Sequence, residues 1–262
     1  MISSNAKTIQ KSFTEQAKNF ETDSMNFTKQ EYLNHIVSCV NPQKSDTVLE
    51  VAAGTCICGR SLAPFVKSVT CLDMTTAMLA VGKKKAGKQG LENMDFVQGD
   101  AGELPFSDNS FNIVISRLAF HHFANPKRCF SEMARVLQTG GRLVIIDMEA
   151  AEETLRNTED EIENLRDPSH MRNLNEEEFT EMFLENRLPI MTIDHTELPV
   201  SLSAWLALTN TPAKLSADIS KRLTDEINGH GLTGFKPYQQ NGEIYFNQRW
   251  IMIIGEKNNN GN

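Results

Sequence analysis

The chain has 262 residues, 40% of them hydrophobic, enough to bury a full core as one large domain or as one domain with an elaborated cap. A net charge of -8 and a pI near 5.3 exclude a protein whose affinity rests on neutralising phosphates, which needs Lys and Arg concentrated on one face, so the expected partner is a small molecule and not nucleic acid. No run of about 18 apolar residues is present to span a bilayer, and the opening MISSNAKTIQKSF lacks the apolar core of a secretion signal, so the expected location is the cytoplasm.

Two amphipathic helical patterns come first, at Asn5 to Phe20 and Thr28 to Val40, placed to cover a ligand or to pack on a sheet. Thr47 to Ala52 is the first short apolar strand, and Ile57 to Val66 has helical spacing. Ser68 to Asp73 is a second strand, followed by a helix from Met74 to Lys88 whose Lys83-Lys84-Lys85 run reads as a solvated face. Met94 to Gln98, Phe111 to Ser116 and Arg142 to Asp147 supply three more strands. Each is a nearly continuous apolar run, as expected where both sheet faces are covered. A helix from Pro126 to Leu137 precedes the last of them, with Gly140-Gly141 expected to supply its left-handed stop. Strand and helix alternating in this way predict a doubly wound α/β fold on a mostly parallel sheet.

After Glu149 the composition turns acidic and is punctuated by prolines. Glu152-Glu153, Glu159-Asp160-Glu161 and Glu176-Glu177-Glu178 mark exposed helices of an added cap over a sheet edge. Glu243 to Phe246 and Arg249 to Ile254 read as two strands, paired as a hairpin or entering the main sheet, and Asn258 to Asn262 as a disordered tail. The expected organisation is N-terminal helices over 1–42, a core over 43–150, a helical cap with one edge strand over 151–240, C-terminal strands over 241–257 and the tail over 258–262.

Ligands of an open parallel sheet bind at the carboxyl ends of its strands, where the strand order reverses. The first strand ends in Glu50-Val51-Ala52-Ala53-Gly54, and Gly54 lets the backbone bend and approach a ligand closely. The second ends in Asp73, about 20 residues on, where an acid accepts from ribose hydroxyls in this architecture. The third leads into Gly99-Asp100-Ala101. Each acid taken singly also reads as a helix cap or a solvated loop residue. The cysteines Cys39, Cys56, Cys58, Cys71 and Cys129 are odd in number and irregularly spaced, as in a reduced protein. No second pair follows Cys56 and Cys58 to complete a zinc site, so no metal is expected.

Taken together, VLEVAAGT, CLDMTTAML, FVQGDAGELPFSDNSFNIVISRLAFHHF and ARVLQTGGRLVIID resemble the class I S-adenosylmethionine-dependent methyltransferases, in particular the group related to ubiquinone/menaquinone biosynthesis methyltransferases (methyltransferase type 11). The likeness runs from Ser4 to Glu149. LRDPSHMR at 165–172 is similar to a subset of small bacterial members, and RWIMIIG corresponds to the family's antiparallel last strand. The resemblance implies that Glu50 supports the loop near the methionine moiety, and that Ala52 and Gly54 line the cofactor's amino-acid portion. It implies further that Asp73 binds the ribose with Met74 against the adenine, and that Asp100 accepts from the adenine amino group beside the amide of Ala101. Arg117 and Leu118 would close the site around the sulfonium. Ala52 and Cys56 stand where glycines are frequent in the family, and a cysteine at a left-handed position is strained. A dehydrogenase is the nearest rival, but Gly54 to Gly59 does not spell GxGxxG, and Glu50 inside the turn suits a cationic cofactor better than a pyrophosphate.

His121 and His122, just past the fourth strand, are the candidate catalytic pair, as base or acceptor-orienting group, against the alternative that they cap or underlie the next helix. Asp167, His170 and Arg172 are candidate substrate residues, with a structural Asp167 to Arg172 ion pair as the alternative. SRLAF replaces the Asn/Asp-Pro-Pro-Tyr/Phe of many amine methylators, and kinship to quinone methyltransferases favours C- or O-methylation of an aromatic or activated carbon acceptor. The alternatives are a thiol, amine or macromolecular acceptor, or an S-adenosylmethionine-binding protein without methyl transfer that acts as a regulator or partner; the chain is expected to be a monomer or homodimer.

Overall fold

The computed structural model describes residues 4–17, 20 and 28–258. Helix α1 (Ser4–Gln16) and helix α2 (Gln30–Val40) lead into the alternating core: β1 (Thr47–Val51), α3 (Ile57–Leu62), β2 (Ser68–Asp73), α4 (Thr76–Lys88), β3 (Met94–Gln98), β4 (Phe111–Arg117), α5 (Pro126–Val136) and β5 (Leu137–Met148). These five strands are parallel in the order β3-β2-β1-β4-β5. The chain leaves β1 to one side for β2 and β3 and crosses to the other for β4 and β5, so the switch point lies between β1 and β4.

Alternate strand residues serve opposite faces. Val48, Ile113 and Val144 join Leu33, Ile36 and Leu62 of α2 and α3 on one side. Leu49, Val114 and Ile145 join Phe130 and Met133 of α5 on the other. All of these strand residues are fully buried, which is why the strands carry no polar alternation.

The remainder comprises α6 (Glu153–Arg166), α7 (Glu176–Glu185), β6 (Ile190–Ser201), α8 (Leu202–Leu208), α9 (Ala213–Ile227), β7 (Tyr238–Gln240) and β8 (Glu243–Glu256). Strand β8 enters the sheet antiparallel beside β5, with β6 outside it and β7 paired to the start of β8. The expected mostly parallel doubly wound sheet with an antiparallel last strand and added helices is the fold observed.

Several expectations are revised in detail. The two C-terminal strands are one, because Asn247 and Gln248 continue the register against Pro199 and Leu198. The fifth strand starts at Leu137, and Gly140, at φ 74, lies within it rather than stopping α5, whose C-cap Leu137 is already extended. The first acidic cap helix is not wholly exposed: Glu159 and Glu163 are buried. The Glu159 carboxylate accepts from the Ala151 amide at 2.7 Å and pairs with Arg249. Residues 18–19 and 21–27 of the N-terminal segment and 259–262 of the expected tail lie outside the described residues.

Candidate active site

The turn after β1 is built on left-handed residues: Ala52 at φ 53, Gly54 at φ 51 and Cys56 at φ 59. Two of the three carry a Cβ, a cost that persists where surrounding contacts over-determine the backbone. Those contacts are carboxylates. Asp73, at the end of β2, accepts from the Gly54 amide at 2.7 Å and the Thr75 amide at 2.7 Å. Glu50, inside β1, accepts from the Gly59 amide at 2.8 Å and the Cys71 thiol at 3.5 Å. Gly59 has to be glycine, since a Cβ there would lie 2.7 Å from Glu50 Oε2 and 2.9 Å from Cys71 Sγ.

Around this turn lies a cleft of about 400 Å³. It gathers Glu50, Ala52, Gly54, Asp73, Met74, Asp100, Ala101, Arg117 and Leu118, every residue the sequence proposed for the cofactor, and His122 with them. Asp100 is exposed and turns one oxygen to the Gly102 amide at 2.8 Å. Arg117 lies 5.1 Å over the ring of Trp250, and Leu118 is itself left-handed at φ 53. Burial pushes the Glu50 carboxyl up to about 7, more than the Gly59 amide and the Cys71 thiol pull it down. Burial raises the Asp73 carboxyl as well, against its two amide donors.

Glu50, Cys56 and Cys71 bring one ligand atom each within 4.8 Å of one another. The Cys71 thiol hydrogen-bonds its neighbours and is buried, which holds it well above the usual thiol value. At Cys56 the lowering contact with Cys71 is outweighed by burial together with the charges of Glu50 and Asp73, and at Cys58 burial and the Glu50 charge raise the thiol as well. Protonated thiols are poor metal ligands.

A second cavity, of about 240 Å³, shares Phe13, Phe20, Leu118 and His122 with the first. His121 lines it, and its Nδ1 is bonded to Asp147, the last but one residue of β5. Asp147 also accepts from the amides of Ala119 at 2.9 Å, Phe120 at 2.8 Å and Met148 at 2.8 Å. Burial disfavours the charged imidazole, yet the Asp147 charge and hydrogen bond outweigh it, leaving His121 above its ordinary value and Asp147 below. His122 takes the opposite course. Its Nδ1–H donates to the Ser169 carbonyl at 3.0 Å, and burial together with the neighbouring His121 lowers it to about 3, so it is a neutral ring.

Of the three cap residues singled out, Asp167 lines the second cavity, with Ser12 at 3.1 Å, Gln16 at 3.3 Å and the Ser169 hydroxyl at 2.6 Å donating to it. His170 is buried behind, on Asp160 at 2.8 Å, with its ring centroid 5.9 Å from that of His121. Arg172 is half exposed and pairs with Glu178 instead of Asp167. Sequence reasoning missed Asp147, although it ends a strand just as Asp73 does. It also missed Trp205 and Trp250, which come from remote elements to line the second cavity.

The comparisons agree with this geometry. A family described as a methyltransferase domain matches residues 49–145. The chain is 31% identical over 247 residues to the uncharacterized methyltransferase YcgJ of Bacillus subtilis, covering 94% of this chain and 97% of that one. The crystal structure of YcgJ superposes with a TM-score of 0.80 at 32% identity, covering 88% of this chain and 100% of the other. A putative methyltransferase from Bacillus halodurans gives 0.80 at 28% identity, covering 87% and 100%. The demethylmenaquinone methyltransferase of Renibacterium salmoninarum is 37% identical over 115 residues, 43% of this chain and 45% of that protein. With a cofactor-sized cleft at the switch point and near full-length likeness to YcgJ, the chain belongs to the methyltransferase family.

Proposed function

We propose that the protein transfers a methyl group from S-adenosylmethionine to a small-molecule acceptor, with C- or O-methylation of an aromatic or activated carbon acceptor as the favoured reaction. The observation that carries this reading is the adjacency of two cavities across His122, one lined by acids and the other by a carboxylate-backed imidazole. The chemistry of the first fits the donor. The amides of Gly54 and Gly59 are committed to Asp73 and Glu50, so a diphosphate would meet carboxylates where it needs N–H groups. A cation with ribose hydroxyls and an amine finds the acceptors it needs in Glu50, Asp73 and Asp100.

When bound, S-adenosylmethionine supplies an electrophilic methyl group on a sulfonium. In this assignment Glu50, Ala52 and Gly54 hold its amino-acid portion and Asp73 the ribose, with Met74 on the adenine. Asp100 accepts from the adenine amino group beside the Ala101 amide, and Arg117 and Leu118 close the sulfonium side. His121 is the base and His122 orients the acceptor, with Asp167 at the acceptor wall and His170 buried behind it, while Arg172, half exposed on Glu178, lines neither cavity. Residues 1–42 and 151–240 act as covers, excluding water while donor and acceptor are aligned.

The test is incorporation of a labelled methyl group from S-adenosylmethionine into phenolic, quinone, thiol and amine acceptors offered in parallel. Labelled phenol or quinone is the expected result. Label confined to thiols or amines would contradict the favoured acceptor class, and cofactor binding with no labelled product would make the chain a binding protein.

A further inference from the structure

Resting on the assignment of the first cavity to S-adenosylmethionine, we infer that Arg128 is its adenine clamp. The guanidinium lies flat on the base from the α5 side, opposite Met74.

Arg128 lines the first cavity and stands in the first turn of α5. The start of that helix is fixed by Pro126 and by Asn125, whose side-chain oxygen accepts from the Arg128 amide at 3.1 Å. From there the side chain crosses the loop after β3. Its Nε–H donates to the Gly102 carbonyl at 2.7 Å, and a Cβ on Gly102 would lie 3.6 Å from Arg128 Nε and 3.4 Å from Asp100 Oδ1. A guanidinium is rigid and planar, so a fixed Nε–H restricts how the whole plane can turn. The contact with Glu103 does not account for this placement: at 3.8 Å, between side chains 60% and 86% exposed, it contributes little. No hydrogen bond engages Nη1 or Nη2 among the described residues.

Met74 and Arg128 approach from opposite faces of the sheet. Met74 leads into α4, whose Leu79 packs with Leu33 and Leu62 of α2 and α3 on one face. Ala101 and Leu104, in the loop that carries Gly102, pack with Cys129 and Phe130 of α5 on the other. A base at the ends of β2 and β3 therefore has Met74 on one side, Arg128 on the other and Asp100 at its rim. Asp100 gives Oδ1 to the Gly102 amide at 2.8 Å, and no hydrogen bond engages Oδ2 among the described residues, which leaves it for an exocyclic amino group. The π face of a ring is its electron-rich side, and a planar, weakly hydrated guanidinium stacks on it better than an ammonium of the same charge. A phosphate would also attract arginine, but in the same cavity it meets the carboxylates of Asp73 and Asp100.

The test is calorimetry of the full-length protein with S-adenosylhomocysteine and 5′-methylthioadenosine, which share the nucleoside and differ in the amino-acid portion. Arg128→Lys keeps the charge and loses the plane and the Nε–H. It should weaken both ligands about fivefold, the size of one exposed cation–π contact. A second readout is one that a purely structural role would not move. The Nε–H signal of Arg128 in a ¹⁵N–¹H NMR spectrum, identified by its loss in Arg128→Lys, should shift upfield with either ligand, because a proton over the face of an aromatic ring is shielded. It should stay in place with L-homocysteine, which has no base. Parent affinity in Arg128→Lys, or a stationary Nε–H with cofactor heat intact, would overturn the clamp and leave the methyl-transfer reading standing. Adenosine 2′-phosphate bound more tightly than adenosine would overturn it too, by making Arg128 an anion anchor. Absence of heat with both S-adenosylmethionine and S-adenosylhomocysteine would contradict the methyl-transfer reading itself.

Discussion

At the scale of single residues, two buried acids with opposite pKa shifts divide the work. Glu50 is pushed up to about 7 by burial, so it is largely protonated in the folded protein at mildly acidic pH. Its folded value exceeds its unfolded one of about 4.3, so its contribution to stability is present below that value and lost as pH rises towards about 7. A cationic ligand favours the carboxylate, so affinity for S-adenosylmethionine should rise with pH through about 7. Glu50→Gln should flatten that dependence in calorimetric titrations across pH 5.5 to about 8.5. An unchanged slope in the variant would remove Glu50 from the cofactor site.

The other acid, Asp147, holds His121 above the ordinary imidazole value. A base has to lose its proton to act, so turnover should rise with pH through that raised value. Asp147→Asn should move the rising limb to lower pH and lower kcat by about 100-fold, within the range of general-base contributions. A slower enzyme with an unmoved limb would make Asp147 merely structural. Asp73 and Asp147 were equally legible as acids ending apolar strands. What picked out Asp73 was its distance from the glycine turn, whereas the partner of Asp147 is a histidine contributed by a different strand end.

At the scale of elements, the left-handed turn is held by close packing of α3 and α4 on it. Gly59 of α3 has no room for a methyl between Glu50 and Cys71, and Gly82 of α4 none against Thr55 and Cys56. Gly59→Ala should therefore lower stability by about 1 to 3 kcal/mol, the usual cost of overpacking, and weaken cofactor binding because Glu50 must shift. A melting temperature equal to that of the parent would show that the packing yields freely. Helix α1 clasps the cap by different means: Ser12 and Gln16 donate to Asp167, and Phe13 lies edge-on to His122 with centroids 5.0 Å apart. Phe13→Ala should raise KM for the acceptor more than it changes kcat, and the reverse split would move α1 away from the acceptor.

The central parallel strands were legible because burial on both faces writes an unbroken apolar run, as at Ile113 to Ile115, whereas β3 (Met94–Gln98), expected to be covered likewise, is the edge strand and has no fully buried residue. Strand β8 was read as two because its outer half is polar where β6 and β7 flank it, through Asn247 and Gln248, and periodicity breaks there without the backbone doing so. Glu159 looked solvated since the Arg249 that meets it, on a remote strand, is not visible as a partner in an isolated acidic run.

At the scale of the whole molecule, a sheet that switches direction at β1 and β4 leaves one crevice, and the added elements enclose it from two sides. Trp205 of α8 reaches the second cavity from the cover and Trp250 from the added sheet strand β8, while His121, backed by Asp147, reaches it from the core. This is why the cofactor half could be read from local motifs and the acceptor half could not: its walls are assembled from remote segments with no common spacing. The first cavity is the one that would hold the cationic nucleoside. Calorimetry of the full-length protein with S-adenosylmethionine tests that most directly. It predicts saturable heat at one site per chain, with affinity reduced at least about tenfold in Asp73→Ala, the loss of a charged hydrogen-bonding group. No heat with S-adenosylmethionine or its demethylated product, or binding indifferent to Asp73→Ala, would contradict it.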